Sequence, residues 1–252
     1  MARGGLGLFL LEAGAGTALL LLFFPVKTLG KGFFSLHGAL AFLFVLLAAL
    51  LHPIGLPSNL GWAAVGMLAA FTIASHANRA RTARPLLGLG GLCAAAAMVS
   101  VAASAPQPSG SSWTIVNAFI GSLFFGAALL TMNLGHWYLV SRSLPFRLLT
   151  TGALVFGILA LLRAGFMGLA LAVNPRPEGL AVLLAPERDA LFFLFRVLWG
   201  IAGPLALSYF IWRSAEMKSN QAATGLLYVA LVFVLIGEML SSYLTVATGF
   251  PA

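Results

Sequence analysis

Four ionisable residues lie inside long apolar runs, where a charge needs either a partner or a function. Glu12 lies in LGLFLLEAGAGTALL, and Glu238 lies in LVFVLIGEMLSSYL near the end of the chain. Arg163 and Arg196 lie in two further runs, LALLRAGF and LFRVLWG. A charge at bilayer depth costs roughly 2.5 to 3.5 kcal/mol on insertion scales, so it normally pairs, reaches water or serves a ligand. These four residues are therefore the first candidates for a site.

Three histidines form a second set of candidates. His52 ends an apolar run in LLHPIGLP, beside a helix-breaking proline. There it can donate a hydrogen bond to a quinone carbonyl or accept a proton from a quinol, and a capping histidine is the alternative. His37 and His136 lie toward the opposite ends of their runs, about one turn from the surface. They are candidate axial ligands of one b-type haem, and neutral histidines packed against aromatic neighbours are the alternative.

The segments that carry these residues have the composition of membrane spans. The 252 residues are 61% hydrophobic and 8% charged, whereas about a quarter of a soluble domain is charged. The net charge of +8 does not indicate a nucleic-acid partner, because no basic run with interleaved aromatic residues occurs. Cys93 is the single cysteine, which excludes an internal disulfide and a cysteine-ligated iron–sulfur cluster within the chain.

Eight apolar runs predict an all-α fold, a polytopic bundle of eight transmembrane helices in one integral membrane domain, residues 1–252. The first run has features of a signal peptide, but we expect it to be retained as the first helix. The segment NPRPEGLAVLLAPERD is predicted to be an interfacial loop rather than a ninth span. The runs cover roughly 5–25, 32–52, 59–77, 86–104, 113–140, 148–173, 190–212 and 224–248.

The distribution of Lys and Arg predicts the orientation of the bundle. Alternate gaps collect most of the 14 basic residues, and the gaps on the other side hold Arg3, Arg176 and Arg188. Because cytoplasmic loops accumulate positive charge, we expect both termini to face the outside. The predicted cytoplasmic group is Lys27, Lys31, Arg79, Arg81, Arg84, Arg142, Arg147, Arg213 and Lys218.

This orientation places the four buried charges at similar depths. With a rise of about 1.5 Å per residue, all four fall in the outer half of the membrane. Two acids and two arginines on four helices therefore predict a common polar site with zero formal charge. The alternative is a structural clamp, in which ion pairs only hold helices together. Gly200, Gly203 and Pro204 also predict a kink just inward of Arg196.

The arrangement of spans, LLHPIGLP at the end of helix two, and FRVLWG followed by LIGEMLSSYL resembles the membrane-anchor subunits of DMSO reductase and polysulfide reductase type complexes. The resemblance implies a subunit that binds menaquinone or ubiquinone near the outer face of a bacterial inner membrane. It also implies electron exchange with an iron–sulfur or cytochrome subunit docked outside, with His52 near the quinone and Glu238 as the glutamate of the final helix. These matching stretches cover about a quarter of the chain.

The favoured mechanism is quinone redox chemistry in the outer half of the bundle. His52 would bond one quinone oxygen, Glu12 or Glu238 would accept a proton, and Arg163 or Arg196 would balance the charge. The chain would then be a dependent subunit of an oxidoreductase complex. A haem-bearing cytochrome, a structural scaffold and a transporter are the alternatives, although no internal repeat of the kind found in inverted-repeat transporters is evident.

Overall fold

The structure is a computed structural model that describes residues 2–51, 56–104, 111–141, 144–173 and 188–251. Within these ranges the chain is helical apart from short connections and contains no strand, so the all-α prediction is confirmed. The helices are α1 (Ala2–Leu21), α2 (Val26–Leu51), α3 (Leu56–His76), α4 (Ala80–Ala103), α5 (Ser111–Val140), α6 (Arg147–Val173), α7 (Arg188–Val197), α8 (Gly203–Glu216) and α9 (Asn220–Thr248). A π-helix, Leu198–Ala202, joins α7 to α8.

Seven helical segments of the described chain are long and apolar enough to cross a membrane, with α7, the π-helix and α8 counted as one segment. The remaining helix, α3, occupies the predicted third run but is not one of the seven. Polar residues near its ends, including Asn59, Ser75 and His76, lower its mean hydropathy. The apolar runs therefore predicted every helix, and the multi-pass membrane character follows from seven of them.

Helix boundaries depart most from the predicted runs where helices begin with basic residues. Helix α4 begins at Ala80 rather than at 86. Helix α2 begins at Val26, but non-helical backbone at Gly30 separates its first turn from the helix that was predicted to begin near 32. These added turns carry Lys27, Lys31 and Arg84. Long cationic side chains can follow an apolar surface while their charged heads reach water, so a helix continues past the end of the apolar run.

Helix packing divides the described chain into two halves with the same arrangement, an N-terminal bundle (α1–α4) and a C-terminal bundle (α5–α9). In the first, α1 packs on α2 and α4, and α3 packs between α2 and α4. In the second, α5 packs on α6 and α9, and the α7–α8 rod packs between α6 and α9. The bundles meet where α1 packs on α5, with α1 also contacting α9 and α5 contacting α4. Exchanging the two bundles therefore preserves the pattern of contacts.

The turn before the last helix of each bundle has the same backbone conformation. Asn78 and Lys218 are the non-glycine residues with positive φ in the described chain, at 60° and 59°. The residue after each donates its backbone N–H to a carbonyl five positions earlier, from Arg79 to Ala74 at 2.8 Å and from Ser219 to Ser214 at 2.9 Å. The two bundles thus share this local turn geometry as well as a packing pattern, and the corresponding helices follow one another in the same order in both.

The two bundles are in backbone contact where α1 crosses α5. A Cβ atom added to Gly16 would collide with the backbone of Ser122, and one added to Gly126 would collide with the backbone of Gly16. Small residues permit this close approach, as they do at many membrane helix interfaces. Glu12 lies one helical turn before Gly16 on α1, so the crossing brings its carboxylate close to the C-terminal bundle.

Candidate functional site

The four charges that the sequence predicted to converge lie in one buried cluster. Arg163 donates to both oxygens of Glu238, from Nε to Oε1 at 3.1 Å and from Nη2 to Oε2 at 2.9 Å. Arg196 Nη1 lies 3.1 Å from Glu238 Oε1. Ser242 joins the fourth charge, because its hydroxyl donates to Glu12 Oε2 at 2.8 Å. Each of the four charged residues is at most 2% exposed. We call these five residues, together with Asn117, Ser241 and Thr245, the charged cluster.

Arg163 is the most extensively bonded member of the charged cluster. Its Nη1 donates to Asn117 Oδ1 at 2.5 Å, and its Nη2 also donates to Ser241 Oγ at 2.7 Å. Asn117 in turn donates from Nδ2 to Ser241 Oγ and Thr245 Oγ1, both at 3.2 Å. These bonds tie α5, α6 and α9 together. A buried polar network of this kind is stable only when its groups are paired, and Arg163 meets that condition.

The polar neighbours of Glu238 were not among the residues predicted from the sequence. Ser241, Ser242 and Thr245 follow Glu238 at three, four and seven positions, which is the spacing of one helix face. That spacing predicts a polar stripe along one face of an otherwise apolar helix, so these three residues could have been identified from the sequence. Asn117 gave no comparable signal, since only the packing of α5 against α9 brings it to the same place.

Arg196 is bonded differently. Its Nη1 donates to Gly200 O at 3.2 Å, but its Nε and Nη2 have no hydrogen-bond partner among the residues that the structure describes. A guanidinium presents Nε–H and Nη2–H along one edge, suited to bind one or two oxygen atoms. In Arg163 this edge bonds the Glu238 carboxylate. In Arg196 the same edge is buried and has no hydrogen bond among the described residues, and we call it the open edge. The charged cluster therefore has balanced formal charge and unused donors.

The π-helix explains how Arg196 is held beside Glu238. A Cβ atom on Gly237 would collide with the Cα atom of Gly200, so the two backbones are in contact. A Cβ atom on Gly200 would also collide with Arg196 Nη1. The predicted break next to Gly200 is thus present as a π-helical turn, and Pro204 lies in the first turn of α8. Such π-turns inside α-helices occur frequently at functional sites.

Glu12 is the contribution of the N-terminal bundle to the charged cluster. No ion pair within 4 Å involves it among the described residues, and its carboxylate accepts the hydroxyl of Ser242. The same hydroxyl is also 3.0 Å from the Glu238 carbonyl oxygen, so it bridges the two helices. A buried carboxyl group without a direct cation is the member of the cluster best suited to gain or lose a proton.

The two histidines predicted as haem ligands have separate protein partners. His37 Nδ1 donates to Phe33 O at 2.7 Å, and its Nε2 accepts from Asn133 Nδ2 at 3.0 Å. Both ring nitrogens of His37 are therefore engaged. His136 Nδ1 lies 3.0 Å from the hydroxyl of Tyr228 on α9. A haem iron needs an unengaged ring nitrogen from each axial histidine, so this pair does not fit the group, and the alternative of a packed neutral histidine describes His37.

Other expectations concern residues outside the described ranges. His52 lies there, as does most of the loop predicted to be interfacial, which includes Arg176. The quinone contact of His52 and the surface position of that loop remain predictions. Among the residues that the structure describes, no group of three or more His, Cys, Asp or Glu side chains is arranged to hold a metal ion.

The chain matches no family model, no curated protein and no solved structure among those with which it was compared. Its function must therefore be inferred from the chemistry of the charged cluster.

Proposed function

We propose that this chain is a quinone- or quinol-interacting membrane subunit of an electron-transfer complex, and that the charged cluster binds the quinone headgroup. The open Nε and Nη2 edge of Arg196 carries the proposal. Buried donors are almost always paired in proteins, so these two require an oxygen acceptor. A quinone is lipid-soluble, reaches a buried site from within the bilayer and offers a carbonyl oxygen to a cation of this kind.

The other members of the charged cluster have complementary roles in this proposal. Oxidation of a quinol releases two protons and two electrons, so its site needs a proton acceptor. Glu12 suits that role because it has no ion pair among the described residues and is linked to α9 through Ser242. Glu238 pairs with both arginines, so that it positions Arg196 while Arg163 neutralises the Glu238 carboxylate. His52 is proposed to contact the second quinone oxygen.

The wider arrangement is part of the same proposal. Helix α3, at 21 residues, is about 30 Å long and is proposed as the eighth span. The distribution of Lys and Arg supports placing both termini outside. The resemblance to DMSO reductase and polysulfide reductase anchors supports menaquinone or ubiquinone as the ligand. It also supports an iron–sulfur or cytochrome subunit on the outer face of a bacterial inner membrane.

A structural scaffold is the second candidate function, and the bonding of Arg163 favours it. Arg163 binds partners on α5 and α9 while it is carried on α6. A network of this kind fixes three helices without needing any ligand. The open edge of Arg196 separates the two candidates, because a clamp gains nothing from buried donors that lack an acceptor.

Replacement of Arg196 tests the proposal. The protein is purified into nanodiscs, and binding of a short-chain ubiquinone and a short-chain menaquinone is measured for wild type and Arg196→Met. Methionine preserves much of the apolar stem, and Arg163 still pairs with Glu238. Loss of hydrogen bonds worth roughly 1.5 to 3 kcal/mol each is expected to weaken binding of one quinone at least tenfold.

A matched control is Arg213→Met, which removes a cation that is 53% exposed at the far end of the same rod. This variant is expected to bind quinone like wild type. Absence of quinone binding by the wild-type protein, or equal binding by Arg196→Met, would contradict the proposal. The scaffold function instead predicts that Arg196→Met changes only thermal unfolding.

A further inference from the structure

A basic groove lies at the end of the N-terminal bundle where α1 and α3 end and α2 and α4 begin. The groove has a volume of about 340 Å³ and is lined by the end of α1, the start of α2, the end of α3 and the start of α4. Its rim carries Lys27, Lys31 and Arg84, and its floor includes Phe34 and Phe71. Both phenylalanines are buried. The groove thus combines three positive charges with an apolar base.

The three cations of the groove have no acidic partner in the part of the chain that the structure describes. No ion pair within 4 Å involves them among the described residues. Arg84 Nη2 donates to Leu22 O at 3.2 Å, which holds the guanidinium across the end of α1. Lys27 and Lys31 lie on either side of the non-helical Gly30 near the start of α2, and both are exposed. The groove therefore concentrates positive charge that nothing in the described chain neutralises.

Two helix N-termini add to the positive potential of the groove. Helices α2 and α4 both begin there, and neither has an acidic residue in its first turn. The residue before α4, Arg79, makes no side-chain capping bond. Unbonded backbone N–H groups at a helix start attract anions, and the helix dipole strengthens that attraction. Cationic side chains and helix starts therefore favour the same kind of ligand.

Gly30 shapes the groove. Its φ of 74° interrupts the helical geometry of α2 between Lys27 and Lys31. This left-handed conformation is favourable for glycine and strained for residues with a Cβ atom. A Cβ atom at Gly30 would meet no atom within 4 Å, so the backbone conformation, not crowding, requires glycine there.

Two described cations at the corresponding end of the C-terminal bundle have partners. Arg213 Nη1 lies 2.6 Å from Glu216 Oε2. Lys218 lies 5.9 Å from the centre of the Phe146 ring, within the range of a cation–π contact. Arg213 and Lys218 therefore differ from the three groove cations, and they provide a matched comparison at the same end of the other bundle.

We propose that this groove binds the phosphate of an anionic phospholipid headgroup. Three cations and two helix starts provide the recognition of the phosphate, and Phe34 and Phe71 give the groove an apolar base. Basic pockets between transmembrane helices are a known way to bind anionic lipids. This proposal is independent of the quinone function, because it uses different residues at a different place.

The test compares lipid binding by purified protein in micelles of neutral detergent, using native mass spectrometry. Phosphatidylglycerol is the anionic probe, phosphatidylcholine is the zwitterionic probe, and inorganic phosphate is the soluble probe. Wild-type protein is expected to bind phosphatidylglycerol at least about tenfold more tightly than phosphatidylcholine, because each cation near a membrane surface attracts an anionic headgroup. Excess inorganic phosphate is expected not to displace the lipid.

The variant Lys27→Gln/Lys31→Gln/Arg84→Gln is expected to lose the preference for phosphatidylglycerol. The control Arg213→Gln/Lys218→Gln removes two cations at the same end of the other bundle and is expected to keep it. If the triple variant does not fold, Lys27→Gln/Lys31→Gln preserves the bond from Arg84 to Leu22 and is expected to weaken the preference. Equal preference in wild type and the lysine variant, equal loss in the control, or displacement by inorganic phosphate would overturn the proposal.

Discussion

The two bundles share one arrangement of helices but differ in where they carry charge. Among the described residues, the C-terminal bundle buries Arg163, Arg196 and Glu238, whereas the N-terminal bundle buries one charged side chain, Glu12. The basic ends of the bundles also differ, because among the described residues Arg213 is ion-paired whereas Lys27, Lys31 and Arg84 are not. Helix packing alone therefore does not explain the position of the charges.

This difference helps to distinguish two roles for the charged cluster, a structural clamp and a ligand-binding site. In the N-terminal bundle, the buried face of α2 is formed mainly by small and apolar residues such as Ala41, Val45 and Ala48. Among its described residues, the N-terminal bundle thus keeps the same arrangement without an ion pair. Buried ion pairs are often no more stabilising than well-packed apolar residues. This comparison supports the proposal that the charged cluster binds a ligand.

The largest effect is expected when Glu238 alone is removed. Glu238→Ala leaves Arg163 and Arg196 buried without a counter-ion, and we expect the free energy of unfolding to fall by about 3 to 5 kcal/mol. Unfolding of the purified protein by increasing sodium dodecyl sulfate measures this change. The matched control is the triple variant Arg163→Met/Arg196→Met/Glu238→Leu, which makes the C-terminal bundle apolar like its counterpart.

The triple variant is expected to recover most of the stability that Glu238→Ala loses. Recovery would show that the C-terminal arrangement, like the N-terminal one, does not need ions. A triple variant as unstable as Glu238→Ala would show that the cluster is required for packing and would favour the scaffold function.

A smaller effect is expected at the contact between the π-helix and α9. Gly237→Ala places a methyl group against the Cα atom of Gly200, and such overpacking typically costs about 1 to 3 kcal/mol. The control is Gly225→Ala in the same helix, where a Cβ atom meets nothing within 4 Å. Alanine there is expected to be neutral or to stabilise the helix by up to about 1 kcal/mol. Detergent unfolding of both variants checks the contrast, and equal tolerance would rule out the close contact.

The two carboxyl groups are expected to differ in their importance for stability. Glu12→Gln keeps an amide oxygen that can accept the Ser242 hydroxyl, so we expect a loss of at most about 1 kcal/mol. Glu238→Gln removes the counter-charge of two arginines and is expected to cost several times more. Thermal unfolding of both variants in one detergent compares them. Equal destabilisation would mean that Glu12 also neutralises a buried cation.

The smallest effect is expected at the exposed end of the C-terminal bundle. Arg213 and Glu216 are 53% and 44% exposed, three positions apart on α8. Exposed pairs with this spacing contribute roughly 0.2 to 0.5 kcal/mol, so Arg213→Ala should change stability by no more than that. A loss above about 1 kcal/mol in the same unfolding assay would show that this end contributes more to packing than the account allows.

Much of the fold could be predicted from the sequence, because an apolar run long enough to span a bilayer has few alternatives to a helix. Counting residues also predicted the similar depth of Glu12, Arg163, Arg196 and Glu238. Rotation about each helix axis is not encoded in such a count. Their convergence was therefore a hypothesis until packing placed them in contact.

Other features depended on contacts between distant segments. The matching turns at Asn78 and Lys218 come from backbone conformation, which different side chains can share. Both ring nitrogens of His37 have partners, because Phe33 accepts from Nδ1 and Asn133 on α5 reaches Nε2. The partnership with Asn133 joins distant segments and could not be read from the sequence. The polar stripe after Glu238 could have been predicted from the sequence, since its spacing is that of one helix face.

We propose that Arg196 donates hydrogen bonds to a quinone oxygen from its open edge. Infrared difference spectroscopy of a ¹³C-carbonyl-labelled quinone bound to the protein in nanodiscs tests this contact directly. A carbonyl stretch is expected to shift to lower frequency in wild type and to return toward its free value in Arg196→Met. An identical carbonyl frequency in both proteins would contradict it.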